Sequence, residues 1–232
     1  MPLNAQMQRL KVNTTQDDDD AFLDEAIKLA TAEKEAQDAA DIKAAKLHDE
    51  TLFEKPVPSE EDDCPICFLP FPEDFQKRQY QVCCGTYICT GCIQAHWEDK
   101  DELDCPFCRM VAVQRDDEYI KRIEKRVDVN DAEAINFLAC KYSTGQKGLS
   151  QDHAKALDLW MKAAELGSAA AYRNIAAAYH DGRGVRQNLQ KEKYYHEMAA
   201  IRGYNSSRSV LGTIEWNERN FDRAYKHWTI AA

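Results

Sequence analysis

Apolar residues recur at helical spacing along most of this chain, and past Asp131 the pattern itself repeats. Gly148-Leu149-Ser150-Gln151-Asp152 aligns with Gly184-Val185-Arg186-Gln187-Asn188 at an offset of 36. The same offset pairs Lys155 with Lys191, Leu159 with Tyr195, Ala163-Ala164 with Ala199-Ala200 and Gly167 with Gly203. A third copy begins near Ser206, where Leu211 follows Ile175 by 36, but its inner loop is shorter because Ala231-Ala232 lie only 32 past Ala199-Ala200. Each unit reads as helix, Gly-containing loop, then a helix ending in Ala-Ala-x-x-Gly, where small residues permit close helix approach and the glycine caps. Residues 131–232 are therefore predicted to form about three helix pairs stacked as an α-solenoid, with Tyr142, Tyr179, Cys140 and the alanines in its core. His153, His180, His196 and His227 are expected on helix surfaces or ends, and the last unit is incomplete at Ala232. An open solenoid end exposes apolar surface, so either the sequence is a fragment or something covers that end.

Upstream the patterns are different. Residues 1–20 are polar and acidic without periodicity and are expected to be disordered. Residues 21–50 are rich in alanine and charge, contain no Gly or Pro, and follow Asp17 to Asp20, whose carboxylates suit a helix N-terminus; a charged helix is predicted there. Pro56-Val57-Pro58-Ser59 and the acids around it mark a linker over 51–62. Residues 111–130 read as a connecting helix with Tyr119, Ile120, Ile123 and Val127 on one stripe among basic residues.

Residues 63–110 are organised by cysteine. Eight of the nine cysteines lie here: Cys64 and Cys67, Cys89 and Cys92, Cys105 and Cys108 in three C-x2-C knuckles, and the adjacent pair Cys83 and Cys84. A knuckle offers two thiolates from one tight loop, so four pairs close two tetrahedral zinc sites, with no coordination position left for a catalytic water. His96, four residues past Cys92, competes with Cys83 for the eighth ligand position; Cys83 closes the cysteine count.

This stretch resembles the RING finger, in which knuckles interleave as a cross-brace. The resemblance implies that Cys64, Cys67, Cys89 and Cys92 hold one structural Zn²⁺ and Cys83, Cys84, Cys105 and Cys108 a second, with Thr86 standing where the family commonly has a histidine ligand. It also implies a surface for a ubiquitin-conjugating enzyme made by Ile66, by His96 or Trp97 and by Pro106, with Arg109 placed to pin the tail of ubiquitin. By count His96 occupies the position where ligases often have Trp. The repeats resemble the Sel-one-like repeat, a relative of the tetratricopeptide repeat, in ALDLWMKAAELG and GRGV, which implies a scaffold for other proteins. Asp19 to Glu33 resembles the ubiquitin-interacting motif: Leu23, Ala26, Ile27 and Ala30 would meet ubiquitin, with Ala30 where the motif has serine.

The fold expected is mostly α, a small cross-braced two-zinc RING finger plus a C-terminal α-solenoid of helix-pair repeats. The function expected is a ubiquitin-protein ligase without covalent intermediate, whose partners are a ubiquitin-conjugating enzyme, ubiquitin and a protein substrate selected by the repeats. The alternative is a non-catalytic zinc-binding adaptor. Charge excludes a third class: residues 1–131 hold 16 Lys and Arg against 30 Asp and Glu, the wrong sign for nucleic acid, and the remainder holds 14 against 10. No run approaches the roughly 18 apolar residues of a membrane span, and Met1 to Lys11 lack the apolar core of a secretory signal. Clustered cysteines bind metal in reducing compartments, so a cytoplasmic or nuclear location is expected.

Overall fold

The computed structural model of the protein describes residues 43–44, 46–54, 63–71, 77–98, 103–113 and 115–231. The ubiquitin-interacting segment, with Leu23, Ala26, Ile27 and Ala30, lies outside the described residues. The chain divides into two compact units, Met1–Thr51 and Leu52–Ala232. In the first, residues 43–44 and 46–51 are helical; Thr51 Oγ1 donates to the Leu47 carbonyl at 3.0 Å, and Lys46 faces Glu50 one turn away.

The second unit begins with Leu52 and Phe53 in helical conformation, where the sequence predicts linker. Leu52 is fully buried, because this Leu-Phe pair has found an apolar seat that no local pattern announces. The finger follows, with one antiparallel hairpin of β1 (Arg78–Gln81) and β2 (Thr86–Cys89), paired Tyr80 to Tyr87, and a helix, α1 (Thr90–Trp97). The connecting helix α2 spans Asp116–Val127. Then come α3 (Ala132–Thr144), α4 (His153–Glu165), α5 (Ala169–Asp181), α6 (Leu189–Ile201), α7 (Asn205–Asn217) and α8 (Phe221–Ala231). Successive helices pack as hairpins, α3 on α4, α5 on α6 and α7 on α8, and each pair stacks on the next as a helical solenoid.

Local chemistry explains the segmentation. Asp152, Ser168 and Asn188 each accept the N3 amide of the helix they begin, from Lys155, Ala171 and Lys191, and Gly145 and Gly182 stop α3 and α5 in the left-handed conformation. The core between the first two pairs is built of Ala139, Ala156, Ala163, Ala164, Ala171 and Ala178 around Ile135, Trp160, Ile175 and Tyr179. Alanine lets backbones approach, and Trp160 fills the remaining volume. Cys140 and Tyr142 pack against this core half-buried, while Tyr179 is buried.

The finger does not hang free of the solenoid. Tyr80, from β1, is buried with Ile120 and Ile123 of α2 and Ala134 and Leu138 of α3, and its ring stacks on Phe137 at 5.1 Å. Its hydroxyl donates to Asp131 at 2.6 Å; the same carboxyl receives Arg126 at 2.7 Å and caps α3 through the amides of Glu133 and Ala134. Tyr87 donates to Glu133 at 2.8 Å, and Ser168 reaches the other oxygen of that carboxylate at 2.6 Å, so one acid links the finger to two helix pairs. Gly85, with φ of 74°, takes a left-handed backbone conformation that strains other residues, and a Cβ there would press on the paired Arg126 and Asp131 side chains.

Two expectations about histidine are corrected. His196 and His227 are buried, at 6% and 0% exposure, because α6 and α8 turn these faces into the third helix pair. His153 and His180 sit at helix ends as expected. Burial lowers His196 to about 4, helped by Arg173 and His180, and lowers His227 to about 4, with Arg208, Arg223 and Lys193 adding to the effect and Glu215 opposing it. Both are neutral in the folded chain and bind protons more readily when it unfolds. Their stabilisation is therefore complete above pH 6.5 and is lost as pH falls from 6.5 to 4. His227→Phe should reduce the loss of unfolding free energy between pH 7 and 4.5 by about 2 kcal/mol relative to wild type, measured by urea denaturation at each pH.

The Asp131 node makes a second prediction. Asp131→Ala removes a helix cap and strands the buried Tyr80 hydroxyl, and should cost about 3 kcal/mol in urea denaturation; Asp131→Asn, which still caps, should cost less.

Candidate metal centre

The finger is built from two copies of one turn, 41 residues apart. In the first, the Cys64 amide donates to Leu69 O at 2.9 Å and Phe68 donates to Cys64 O at 2.8 Å; in the second, Cys105 donates to Met110 O and Arg109 to Cys105 O, both at 2.9 Å. Single antiparallel bridges close each copy, Asp63 to Pro70 and Asp104 to Val111. Phe68 and Arg109 take the equivalent left-handed position, with φ of 57° and 63°. Such backbone is costly for side chains of this size and persists only where surroundings over-determine it. Here the requirement is to bring two sulfurs per turn to one point.

The hairpin supplies the other ligands. Cys83 and Cys84 lie in the turn between β1 and β2, Cys89 ends β2, and its sulfur caps α1 by accepting the Cys92 amide at 3.4 Å, which places Cys92 in the first helical turn. Cys64, Cys67, Cys89 and Cys92 come together in one group, and Cys83, Cys84, Cys105 and Cys108 in another, with the sulfurs of each group within 4.8 Å of one another. The groups interleave along the chain. All nine cysteines are free thiols.

These donor sets fit zinc. A bond of about 2.3 Å to each thiolate puts tetrahedral sulfurs about 3.8 Å apart. The observed separations are 3.9 Å for Cys67 to Cys89, 3.9 Å for Cys84 to Cys105 and 3.4 Å for Cys83 to Cys108. Four thiol donors and no carboxylate form a soft set suited to zinc rather than to calcium or magnesium. Bound there, zinc would be structural, holding two turns and a hairpin whose own apolar core is little more than Ile88, Ile93 and two cysteines.

Without metal the thiols do not share one ionisation. Burial pushes Cys64 upward, but amides of Cys89, Cys67 and Ile66 outweigh it and bring the group down to about 7. Cys108 is likewise lowered against its burial, chiefly by the Met110 amide. Cys83, Cys84, Cys89 and Cys92 are raised, burial coming first and neighbouring sulfurs opposing a second negative charge. Eight thiolates side by side need cations.

The positions expected to meet a conjugating enzyme meet different fates. Ile66 is exposed at 38%, and the second knuckle shows Phe107 at 50%. Pro106 is buried beside Cys105. Trp97 packs half-buried on the finger core with its indole donating to Asp104 O at 2.8 Å. His96 joins neither sulfur group; its ring meets the Asp104 carboxylate and the Arg109 guanidinium, the latter at 3.1 Å. Sequence reasoning missed Phe68, Leu69, Met110 and Val111, which are exposed around the two knuckles. Their signal was available, since CPICFL and CPFCRM carry apolar residues at positions a solvated loop would not need. Cys140 stands apart, held by Asn174 at 3.5 Å and raised by burial, as befits a packing thiol.

No protein-family model matches the chain, and no curated protein matches it. Among solved structures, 49% of the chain is similar to 48% of a Sel1 repeat protein from Oxalobacter formigenes, at 28% identity and a TM-score of 0.46. A second likeness, over 53% of the chain and 27% of the other, is to c5321, a protective antigen of uropathogenic Escherichia coli displaying an SLR fold, at 21% identity and a TM-score of 0.49. The chain thus spans under half the length of either protein.

Elemental analysis of purified protein should find two zinc ions per chain. Cys83→Ser should reduce this to one, whereas His96→Ala should leave two. Because thiol protons compete with metal, occupancy should fall as pH is lowered through 6, and chelation should abolish cooperative melting of the finger.

Proposed function

We propose that this protein is a protein-interaction scaffold in which a zinc-held finger is fixed in orientation on a helix-pair solenoid. The observation that carries this reading is the shared core of Tyr80, Ile120, Ile123, Ala134 and Leu138, which joins finger, connecting helix and first repeat, while Ile66, Phe68, Leu69, Phe107 and Met110 stay exposed on the finger. Clustered exposed apolar side chains on a small domain are the ordinary mark of a protein-binding surface. The solenoid supplies a second surface on the same rigid frame, so partners bound to the two are presented to each other at a set distance. Clustered thiols function in a reducing compartment, and the proposal locates the protein in the cytoplasm or nucleus.

A second reading, a RING-type ubiquitin-protein ligase, is favoured by the exposure of Ile66 together with the cross-braced grouping of the cysteines. In this reading the finger recruits a charged ubiquitin-conjugating enzyme, Arg109 pins ubiquitin's tail, and the repeats hold the substrate, so that transfer to a lysine is promoted by proximity and by fixing the conjugate's closed form. The buried Pro106 and the occupied indole of Trp97 weigh against it.

Autoubiquitylation with a panel of conjugating enzymes separates the two, run beside Ile66→Ala and Arg109→Ala with zinc measured in each. The scaffold reading expects no ladder from folded, two-zinc protein. Ladders that disappear in both variants at unchanged zinc content would establish the ligase.

A further inference from the structure

The third helix pair contains a site built for the end of a helix. Leu52 is fully buried against Ala200 and Leu211, with Phe53 and Ile201 packed at the edge. Around the Phe53 ring stand the His227 ring at 4.7 Å, the Arg223 guanidinium at 5.0 Å and the Lys226 ammonium at 5.2 Å, so the electron-rich ring face meets two cations. Arg208 is itself fully buried. Its Nη1 donates to Leu52 O at 2.6 Å, and its Nη2 to Ala200 O at 3.1 Å and Glu54 O at 3.3 Å.

A guanidinium taken out of water is costly unless its protons find strong acceptors. The last carbonyls of a helix are such acceptors: they have no partner within the helix and carry the negative end of its dipole. The two Nη groups of Arg208 and the carbonyls of Leu52 and Glu54 therefore serve one another, while its Nε–H is buried without a partner among the described residues, and the recognition is of backbone termination as much as of side chain. Between this segment and Arg208 lie more than 150 positions of chain, finger included, so the contact is no product of local sequence.

We propose that the third helix pair is a peptide-binding site for a helix end bearing Leu-Phe, and that Leu52–Glu54 of this chain is its ligand in cis, exchangeable with the same segment offered in trans. The site reads an apolar residue in the Ala200–Leu211 seat, an aromatic residue between Arg223, Lys226 and His227, and free carbonyls at Arg208. While it is filled, Glu54 is held on the third helix pair, and release frees it. The inference goes beyond the scaffold reading and does not depend on the finger's partner.

The test uses the full-length, zinc-loaded chain and a fluorescent peptide spanning residues 46–56. A tethered ligand competes at an effective concentration of about 1 mM, so Leu52→Ala/Phe53→Ala protein should bind the peptide at least about tenfold more tightly than wild type. A peptide carrying both alanines should bind neither. Equal affinity for the two proteins, or no saturation of the variant at about 1 mM peptide, would overturn the proposal. If the double variant does not unfold cooperatively, Phe53→Ala alone, altered at the half-buried edge, is judged by the same two criteria.

Discussion

One carboxylate ties the modules of this protein together. Asp131 caps α3 through two amides, accepts the Tyr80 hydroxyl from the finger and holds Arg126 from the connecting helix. Its burial would favour the neutral acid, but Tyr80, the Ala134 amide and Arg126 outweigh that and lower its pKa. A charge in that position has to be fully served, so the three elements have little freedom to move apart. Beside it the rings of Tyr80 and Phe137 stack at 5.1 Å.

That coupling changes what a small cysteine-rich finger is. A domain of this size cannot bury enough apolar surface to fold on packing alone, and metal normally supplies the difference. Here the repeats supply part of it too, because one face of the hairpin belongs to the core of α2 and α3. The exposed knuckles carry Ile66, Phe68 and Phe107 on a finger whose hairpin shares its core with the connecting helix and the first repeat.

The far end of the solenoid is handled by a different device. There α6, α7 and α8 bury polar groups that alanine-rich packing does not: Arg208, Glu215, His196 and His227. Glu215 is served by Lys193, Arg223 and Asn220, His196 by Ser207, and Arg208 by backbone carbonyls, two of them from Leu52 and Glu54. The His227 ring nitrogens and the Arg208 Nε–H, by contrast, are buried without a hydrogen-bond partner among the described residues, which is costly.

Sequence by itself determined whatever is local or periodic. The three knuckles, the paired Cys83 and Cys84, the repeat register through Ala163-Ala164 and Ala199-Ala200, and the caps at Asp152, Ser168 and Asn188 are set by spacings of a few residues or by a repeated unit, and the mostly helical solenoid follows from them. Tertiary structure alone decided the seat of Leu52, the docking of Tyr80 and Tyr87, the burial of Pro106, His196 and His227, and the engagement of His96 with Asp104 and Arg109. These depend mostly on which faces meet across dozens of residues, and a side chain such as His227 or Leu52 carries no mark of the partner that will cover it. Periodicity tells which face of an element is apolar; only packing tells what that face finds.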